Sequence, residues 1–383
     1  MIPRMPYRSA DGPWPEAAGL SPGEPSNVQR DVRRDAWTHL GKGLLASALS
    51  ILAAGALVAG VMSLLGRNPA AILSALATGP FADRFRFVES LARATPLMLC
   101  GLAVTLAFRA GAWNIGVEGQ YLAGAMAMTA IGTAAGPWPG WLLVAACLVA
   151  SATAGALWAV PAVALDNRRG VPLVLSTILL NFVALHLVQY LTRGPLQGDD
   201  PAAPESAPLA PQARLFPLVT GTDFHWGFGL ALLAAGACSV LLRRSTAGFA
   251  LRAAGLNPVA AEWSGIRVNR VKFRVMCLSG ALGGLAGGMQ VAGVHHLLRD
   301  DAAEGFGYVG IAVALLGRLD PLGVAVAAVA LGMLDVGALH LERQGRLGVP
   351  ADLAQVIKGL LILALLVAGS KRLMGQGTVS EGA

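Results

Sequence analysis

The sequence predicts an all-α polytopic transmembrane helical bundle of about ten spans, on three observations. Of its 383 residues, 55% are hydrophobic and only 13% are charged, with a mean hydropathy of +0.60, whereas ordinary soluble domains carry about 25% charged residues. The stretch GLLASALSILAAGALVAGVMSLL, 43–65, contains no charge and is long enough to cross about 30 Å of hydrocarbon. Similar apolar runs recur along the whole chain, which argues against a buried helix of a soluble protein.

Charged residues and Pro/Gly breaks divide the apolar sequence into individual spans. The eighth run is short and Gly-rich, so the sequence leaves open whether it is a full crossing or a half-helix. The predicted spans are 43–65, 89–108, 116–136, 141–165, 171–193, 226–242, 274–295, 306–318, 320–340 and 352–370. They define a transmembrane domain at 43–370, with a cytoplasmic loop at 243–274, between a flexible N-terminal tail at 1–42 and a C-terminal tail at 371–383.

The basic residues predict which face of the membrane each loop occupies. Most of the 29 Lys and Arg residues fall in the two tails and in alternate loops, at Arg109, 167–169, 243–274 and Arg318. Because basic residues favour the cytoplasmic side, we expect both termini inside a bacterial plasma membrane and the Pro-rich connection 194–225 outside. The basic residues are not interleaved with aromatic ones, so the net charge of +7 does not indicate nucleic-acid binding.

The sequence offers little for redox, metal or nucleotide chemistry. The cysteines lie singly in apolar segments, with no CxxC and no histidine at ligand spacing: Cys100, Cys147, Cys238 and Cys277. No GxxxxGK[ST] loop can cradle a phosphate, and the spans carry neither a Ser/His/Asp set nor HExxH. His295 and His296 lie at an outer end beside charged residues, where we expect neither a gate nor a metal role. We therefore expect no metal, no cofactor and no catalytic residue, and any ATP hydrolysis has to come from another chain.

One cytoplasmic segment has a defined start and stop. In LNPVAAEWSGI, Asn257 can cap a helix, Pro258 suits its first turn, and Gly265 can end it in the left-handed conformation. A helix of about two turns is unstable alone in water, so it must dock on something. The residues leave two docking sites open: the protein's own membrane helices, or a cytoplasmic partner that pushes the segment as a lever.

A glycine pattern in the seventh span predicts close helix packing. The stretch SGALGGLAGG places Gly280, Gly284 and Gly288 four residues apart, and Gly283 and Gly287 form a second pair. Small residues at this spacing let a neighbouring backbone approach, so we expect this span inside the bundle. The Gly-punctuated run at 305–317 could line a cavity as a broken helix.

Polar side chains within or beside the apolar runs are the candidate substrate-pathway residues. They are Asn114, Glu118, Gln120, Ser176 and Asn181. Amides both donate and accept hydrogen bonds, as recognition of a base edge or a sugar hydroxyl requires, whereas a carboxylate is too costly to face lipid. For the amides and the hydroxyl, hydrogen bonding between helices is the alternative. A salt bridge between Glu118 and Arg109 also stays open.

Five sequence blocks, in this order, resemble those of one protein family. The blocks are FRAGAWNIGVEGQYLAGA, VLSTILLNF, LRAAGLNPVAAEWSGI, LSGALGGLAGG and GYVGIAVALLGRLDPLG. They resemble the permease subunits of bacterial ABC importers for nucleosides and simple sugars, the branch that includes ribose permeases. The similarity covers roughly 92–365, and NIGVEGQ with the long N-terminal region is similar to the larger permease chain of nucleoside-type systems.

The resemblance implies an assembly and a role for the capped segment. The assembly would pair this chain with a second permease, expected as a heterodimer, two copies of a cytoplasmic ATPase and an extracytoplasmic substrate-binding protein. The segment would be the coupling helix seated in a groove of the ATPase. The residues that match the family pattern there are Asn257, Pro258, Ala260, Ala261, Gly265 and Ile266, whereas Trp263 departs from it. The alternative is an ion-coupled secondary transporter of small polar solutes, which needs a relay of ionisable residues inside the membrane.

Overall fold

The computed structural model shows a bundle of helices. It describes residues 68–343 except 135, 137 and 201, together with parts of 55–66 and 353–366. The predicted tails at 1–42 and 371–383 lie outside the described residues, as do most of the predicted span 43–65 and part of 352–370. The described chain contains isolated β-bridges in its connecting segments and no β-strand longer than these.

The helices follow the predicted order, with two additions. They are α1 (Pro69–Thr78), α2 (Arg84–Arg109), α3 (Val117–Thr133), α4 (Gly140–Arg169), α5 (Leu173–Thr192), α6 (Gly227–Arg244), α7 (Thr246–Leu256), α8 (Pro258–Trp263), α9 (Val268–Gln290), α10 (Phe306–Leu316) and α11 (Pro321–Arg343). A π turn, Val291–His295, continues α9. The sequence did not predict α1 or α7 because they have only 10 and 11 residues, too few for a span.

Six helices in the described part of the chain are long and apolar enough to cross a membrane, which supports the predicted transmembrane bundle. They are α2, α4, α5, α6, α9 with its π turn, and α11. Most of the apolar window is buried in α2 (83%) and α9 (78%), but only 33–39% in α4, α5 and α6. The bundle is therefore built around α2 and α9, and α4 to α6 leave apolar side chains such as Leu157, Leu179 and Leu233 exposed to lipid.

Helix α10 decides the open question about the eighth span. Its 11 residues cover about 16 Å, half of the hydrocarbon core. Gly310, inside α10, packs against Cys100 of α2, and Arg109 at the end of α2 donates from Nε to the Leu319 carbonyl at 2.9 Å. Because α10 runs beside only the C-terminal part of α2, it is a half-helix that begins inside the bundle.

The glycines of α9 lie where other backbones approach closely. A Cβ added at Gly280 or Gly284 would collide with the backbone of α4 at Gly155, and one at Gly284 also with the Ser151 carbonyl. A Cβ at Gly287 would collide with the Tyr121 carbonyl of α3. Gly288 faces the Ser151 side chain of α4, and Gly283 lies against Val117 and Gln120 of α3. The two glycine sets therefore serve two neighbouring helices, and α9 lies inside the bundle as the spacing predicts.

The loops assigned to one membrane face by their basic residues meet at one end of the bundle, here named the Arg109 end. Arg243, at the end of α6, pairs with Asp320 at 2.5 Å, and Lys272 pairs with Asp166 at 3.3 Å. Gly255 of α7 packs directly on the Arg109 backbone. These contacts place the loops after α2, α4, α6 and α10 together.

The opposite end, named the Ser206 end, is held by pairing between two connecting segments. Ser206 donates from its backbone N–H to the Leu298 carbonyl at 2.8 Å, and Leu209 donates to the His296 carbonyl at 2.7 Å. The hydroxyl of Ser206 also accepts from the Leu298 N–H at 2.9 Å. Segment 204–209 thus lies across loop 296–305, which connects the π turn after α9 to the buried start of α10.

Candidate functional site

The candidate site surrounds the connector between α2 and α3. The helix α2 ends at Arg109, the chain turns at Gly111 with φ of +71°, and α3 begins at Val117. The turn needs a residue without a side chain because that φ is left-handed and the Gly255 backbone lies against Gly111. Beyond it, the polar residues of the connector and of the first turn of α3 enter the protein interior.

Asn114, Gln120 and Ser279 form a closed hydrogen-bonded cluster, named the Asn114 cluster. Asn114 Nδ2 donates to Gln120 Oε1 at 3.1 Å and to Ser279 Oγ at 2.9 Å. Asn114 Oδ1 accepts from the Gly116 N–H at 2.9 Å and from Gln120 Nε2 at 3.3 Å. Ser279 then donates to the Ala103 carbonyl of α2 at 2.7 Å. Both donors and both acceptor positions of Asn114 are engaged, so in this conformation it joins α2, α3 and α9.

Asn181 connects α5 to the same connector. Its Oδ1 accepts from the Gly119 N–H at 2.8 Å, and its Nδ2 donates to the Ile115 carbonyl at 2.9 Å and to Tyr308 Oη of α10 at 3.1 Å. These bonds satisfy backbone groups that the break between α2 and α3 leaves without helical partners. Asn181 therefore bridges α5, α3 and α10.

Glu118 lies against the start of α10. Its side chain is buried, with 2% of the residue exposed. Its Oε1 accepts from the Gly305 N–H at 3.0 Å and its Oε2 from the Gly307 N–H at 2.7 Å. The first N–H groups of a helix lack helical acceptors and carry partial positive charge, so a carboxylate there satisfies them and balances the helix dipole. Arg109 binds the carbonyls of Leu319 and Arg318 instead of this carboxylate.

Four of the five predicted pathway residues therefore converge on the start of α3, and one lies apart. Ser176 is buried in α5, but its hydroxyl makes only a 3.5 Å bond to the Pro172 carbonyl of its own helix among the described residues. Ser279 and Tyr308 were not among the residues predicted from the sequence, although Ser279 immediately precedes Gly280, the first of the four-spaced glycines. No group of three or more potential metal-binding side chains occurs in the described part of the chain. The site can hold helices or a polar solute by hydrogen bonds.

A second candidate feature is α8, at the Arg109 end. Asn257 caps it by accepting from the Ala260 N–H at 3.0 Å, Pro258 is its first residue, and Gly265 follows it with φ of +83°. These caps confirm the helix predicted from the sequence. Its inner side chain Ala261 is buried with Ala254 and Val268, with Ile266 packed beside them, whereas Trp263 is 88% exposed. Val259 of α8 and Leu256 at the end of α7 are also exposed, so apolar side chains face outward at and beside α8.

A helical bundle whose described part has six helices long enough to cross a membrane is consistent with the family that the sequence matches. Residues 86–366 match the family described as branched-chain amino acid transport system / permease component. The chain belongs to this permease family. It is a multi-pass membrane permease of the ABC transporter type, as the resemblance predicts, and a transport subunit. The ion-coupled alternative is not favoured.

Several curated relatives of this permease cover most of its length. The guanosine ABC transporter permease NupP of Bacillus subtilis is 38% identical over 85% of this chain and 92% of the relative. The glucose ABC transporter permease TsgB13 of Haloferax volcanii is 35% identical over 89% and 91%. The nucleoside ABC transporter permease NupB of Lactococcus lactis is 27% identical over 73% and 78%. No solved structure matches the permease significantly.

Proposed function

We propose that this permease imports nucleosides or simple sugars, delivered by an extracytoplasmic binding protein and driven by a separate ATPase. The cargo class is inferred from the 38% identity with a guanosine permease over most of both chains. The glucose permease at 35% identity keeps sugars within the proposal. Both cargo classes are neutral and rich in hydroxyl groups, which suits a pathway built from amides and hydroxyls.

The contact with the ATPase is proposed to be α8. Its helix is too short to be stable alone, and its inner face already docks on α7 and α9 through Ala261. The outer face then offers Trp263 and Val259 to a groove on the ATPase. Gly255, just before α8, packs on the Arg109 backbone, and Arg109 holds the turn after α10 through Leu319. A push on α8 is therefore delivered to the end of α2 and to α10.

The orientation and the remaining partners follow from this contact. If α8 faces the ATPase, the Arg109 end is cytoplasmic, the Ser206 end is extracytoplasmic, and both tails, 1–42 and 371–383, lie in the cytoplasm. The binding protein then docks at the Ser206 end. A second permease chain is proposed to complete the pathway, because separate relatives NupP and NupQ, at 38% and 26% identity, occur in one Bacillus subtilis strain.

The polar residues around the start of α3 are proposed to act in the pathway when the bundle changes conformation. In the present conformation the bonds of Asn114, Gln120 and Asn181 are made within the protein. Separation of α3 from α9 would break the bond between Asn114 and Ser279, and movement of α5 away from α3 and α10 would free Asn181, so that these amides could meet cargo. Ser176 lies about one turn before Asn181, also buried in α5. Glu118 is proposed to hold α10 in place.

Transport by the reconstituted assembly tests this function. The permease pair, the ATPase and the binding protein are placed in liposomes, and uptake of radiolabelled guanosine, ribose and glucose is measured with and without ATP. We expect uptake of a nucleoside or sugar that requires both ATP and the binding protein. Uptake driven by a proton or sodium gradient without ATP would contradict the proposal.

A further inference from the structure

A cavity of about 240 Å³ lies at the Ser206 end, lined by residues of α3, of the π turn and of the loop that leads to α10. Its floor is Tyr121 of α3, and its walls include His295 from the π turn and three charged residues of loop 296–305: Arg299, Asp301 and Glu304. None of these four polar wall residues belongs to the Asn114 cluster. The cavity is therefore distinct from the Asn114 cluster.

The cavity changes from a charged mouth to an aromatic floor. At the mouth, Arg299 and Asp301 pair at 2.8 Å and are both more than half exposed. Deeper, His295 Nε2 and Glu304 Oε1 are 2.5 Å apart, with side chains 28% and 31% exposed. Tyr121 is almost fully buried, and its ring centroid lies 5.9 Å from that of Phe306, the first residue of α10.

This arrangement selects a neutral ligand with adjacent hydroxyl groups. Each basic group that lines the cavity has an acidic partner beside it, so a charged ligand would have to compete with an existing ion pair, whereas a neutral ligand would not. Vicinal hydroxyls can donate to a carboxylate while their oxygens accept from Arg or His, and these charge-assisted bonds are the stronger ones. Tyr121, almost fully buried, closes the inner end of the cavity with Ala125 of the same helix.

The loop that forms the cavity is held in place from outside. Its backbone is bonded to segment 204–209 at His296 and Leu298, and Asp300 pairs with Arg193 at 2.9 Å. Glu304 precedes Gly305, whose N–H is bound by Glu118. A ligand that contacts Glu304 is thus one residue from the contact that positions α10.

We infer that this cavity is a cargo-binding site, in which Glu304 and His295 recognise the vicinal hydroxyl groups of a ribose or hexose ring. The inference rests on the proposed function and adds the residues that contact the cargo. Free sugars and nucleosides share the hydroxyl chemistry, so the test carries an arm for each.

The test removes one side chain and one ligand hydroxyl, separately and together, as in a double-mutant cycle. Uptake by the reconstituted importer is measured for each combination. Uptake rates are measured for a ribonucleoside and its 2′-deoxy analogue, and for a hexose and a deoxyhexose, each at a concentration that saturates the binding protein. The permeases compared are the wild type, Glu304→Gln, Arg299→Gln and the control Asp300→Asn. Asp300 lies in the same loop and forms an ion pair, but it does not line the cavity. Because the binding protein is common to all assays, its own discrimination cancels between variants.

We expect Glu304→Gln to slow uptake of the hydroxylated cargo about five- to tenfold while changing the deoxy analogue little, since a hydrogen bond to a charged group is lost only where the hydroxyl exists. Arg299→Gln should act in the same direction more weakly, and Asp300→Asn should leave the ratio unchanged. An effect on the ribonucleoside pair identifies the cargo as a nucleoside, and an effect on the hexose pair identifies it as a free sugar. Equal slowing of both members of each pair, no change, or the same response to Asp300→Asn would overturn the inference. If the wild type imports no nucleoside or sugar, the proposed function fails as well.

Discussion

Glu118 Oε2 accepts a hydrogen bond of 2.7 Å from the backbone N–H of Gly307, 189 residues further along the chain. With the bond from Gly305, it explains why an acid belongs in such an apolar run. A helix that begins inside the membrane exposes N–H groups with no water to bind them, and each unsatisfied group costs several kcal/mol. Because no helical turn precedes α10, the carboxylate of Glu118 supplies the acceptors that the N–H groups of Gly305 and Gly307 would otherwise lack.

Replacing Glu118 should destabilise the permease. Glu118→Gln keeps one acceptor oxygen but puts an NH₂ group opposite the second N–H, so we expect a loss of about 1–3 kcal/mol. Glu118→Ala should cost more. The measurement is thermal unfolding of the purified permease in detergent, with Glu205→Gln on segment 204–209 as the matched control. A Glu118→Gln protein that melts with the wild type would contradict this role.

Enlarging a packing glycine should separate α9 from its neighbours. A Cβ at Gly284 would collide with the Ser151 carbonyl and the Gly155 backbone, so Gly284→Ala should cost at least about 1–3 kcal/mol. Gly236, in the middle of the spanning helix α6, has open space around it, and Gly236→Ala should be neutral or slightly stabilising. The melting temperature and the amount of protein in the membrane are measured for Gly284→Ala and Gly236→Ala. Equal values for the two variants would show that α9 can move away from α4 at little cost.

Strain placed in the turn after α8 should uncouple transport from ATP hydrolysis. Gly265 has φ of +83°, and a Cβ added there would meet no atom within 4 Å, so Gly265→Val acts only through the left-handed backbone. The matched control is Gly170→Val, which has φ of +67°, is equally open, and ends α4. We expect ATP hydrolysis to persist but uptake to fall about tenfold for Gly265→Val alone. The double change Asn257–Pro258 to Ala–Gly should do the same, and unchanged uptake would rule out α8 as the coupling helix.

The stability of the permease should fall as the pH drops below neutrality because of His225. This side chain lies outside the spans, just before α6, and its Nδ1 accepts a hydrogen bond from the Gly227 N–H at 3.1 Å. Burial, aided by neighbouring His296, lowers the pKa of His225 from 6.5 to about 4. The unfolded chain therefore takes up a proton near pH 6.5, whereas the folded protein does not bind it until about pH 4.

This difference in the pKa of His225 contributes stability that is fully present above pH 6.5. The contribution is lost progressively as the pH falls to about 4. Between pH 7 and pH 5 the loss should be about 2 kcal/mol. Melting curves across this range measure it, and His225→Gln, which keeps an acceptor for Gly227, should flatten the dependence. An identical slope in the variant would assign the effect to other groups.

The sequence predicts the six long spans because each of these helices contains a long, largely apolar run. The fourth prediction, 141–165, corresponds to Gly140–Arg169, and the extra turn carries the basic residues that close the helix. The caps of α8 were equally predictable, since Asn257 and Gly265 act through local backbone geometry. The length of the eighth span was not predictable, because a half-helix and a tilted full helix have the same composition.

The partners of the polar residues could not be read from the sequence because they are distant along it. Asn114 meets Ser279 across 165 residues, and Arg109 binds Leu319 across 210 instead of pairing with Glu118. Residue type restricts each group to donating or accepting, but only the packing of α2, α3 and α9 selects the partner. Ser176 shows the converse, since it resembles Asn181 in sequence context yet bonds to its own helix.

The half-helix α10 also constrains how the chain is made. A segment of 11 residues that starts at the buried Phe306 is too short to enter the bilayer on its own, and its first N–H groups need Glu118, already placed by α3. Loop 296–305 and α10 can therefore settle only after α2, α3 and α9 have been inserted and packed. During synthesis, about the last quarter of the permease, from residue 296 onward, therefore fills a space that the earlier helices leave open, and α10 takes its place after them.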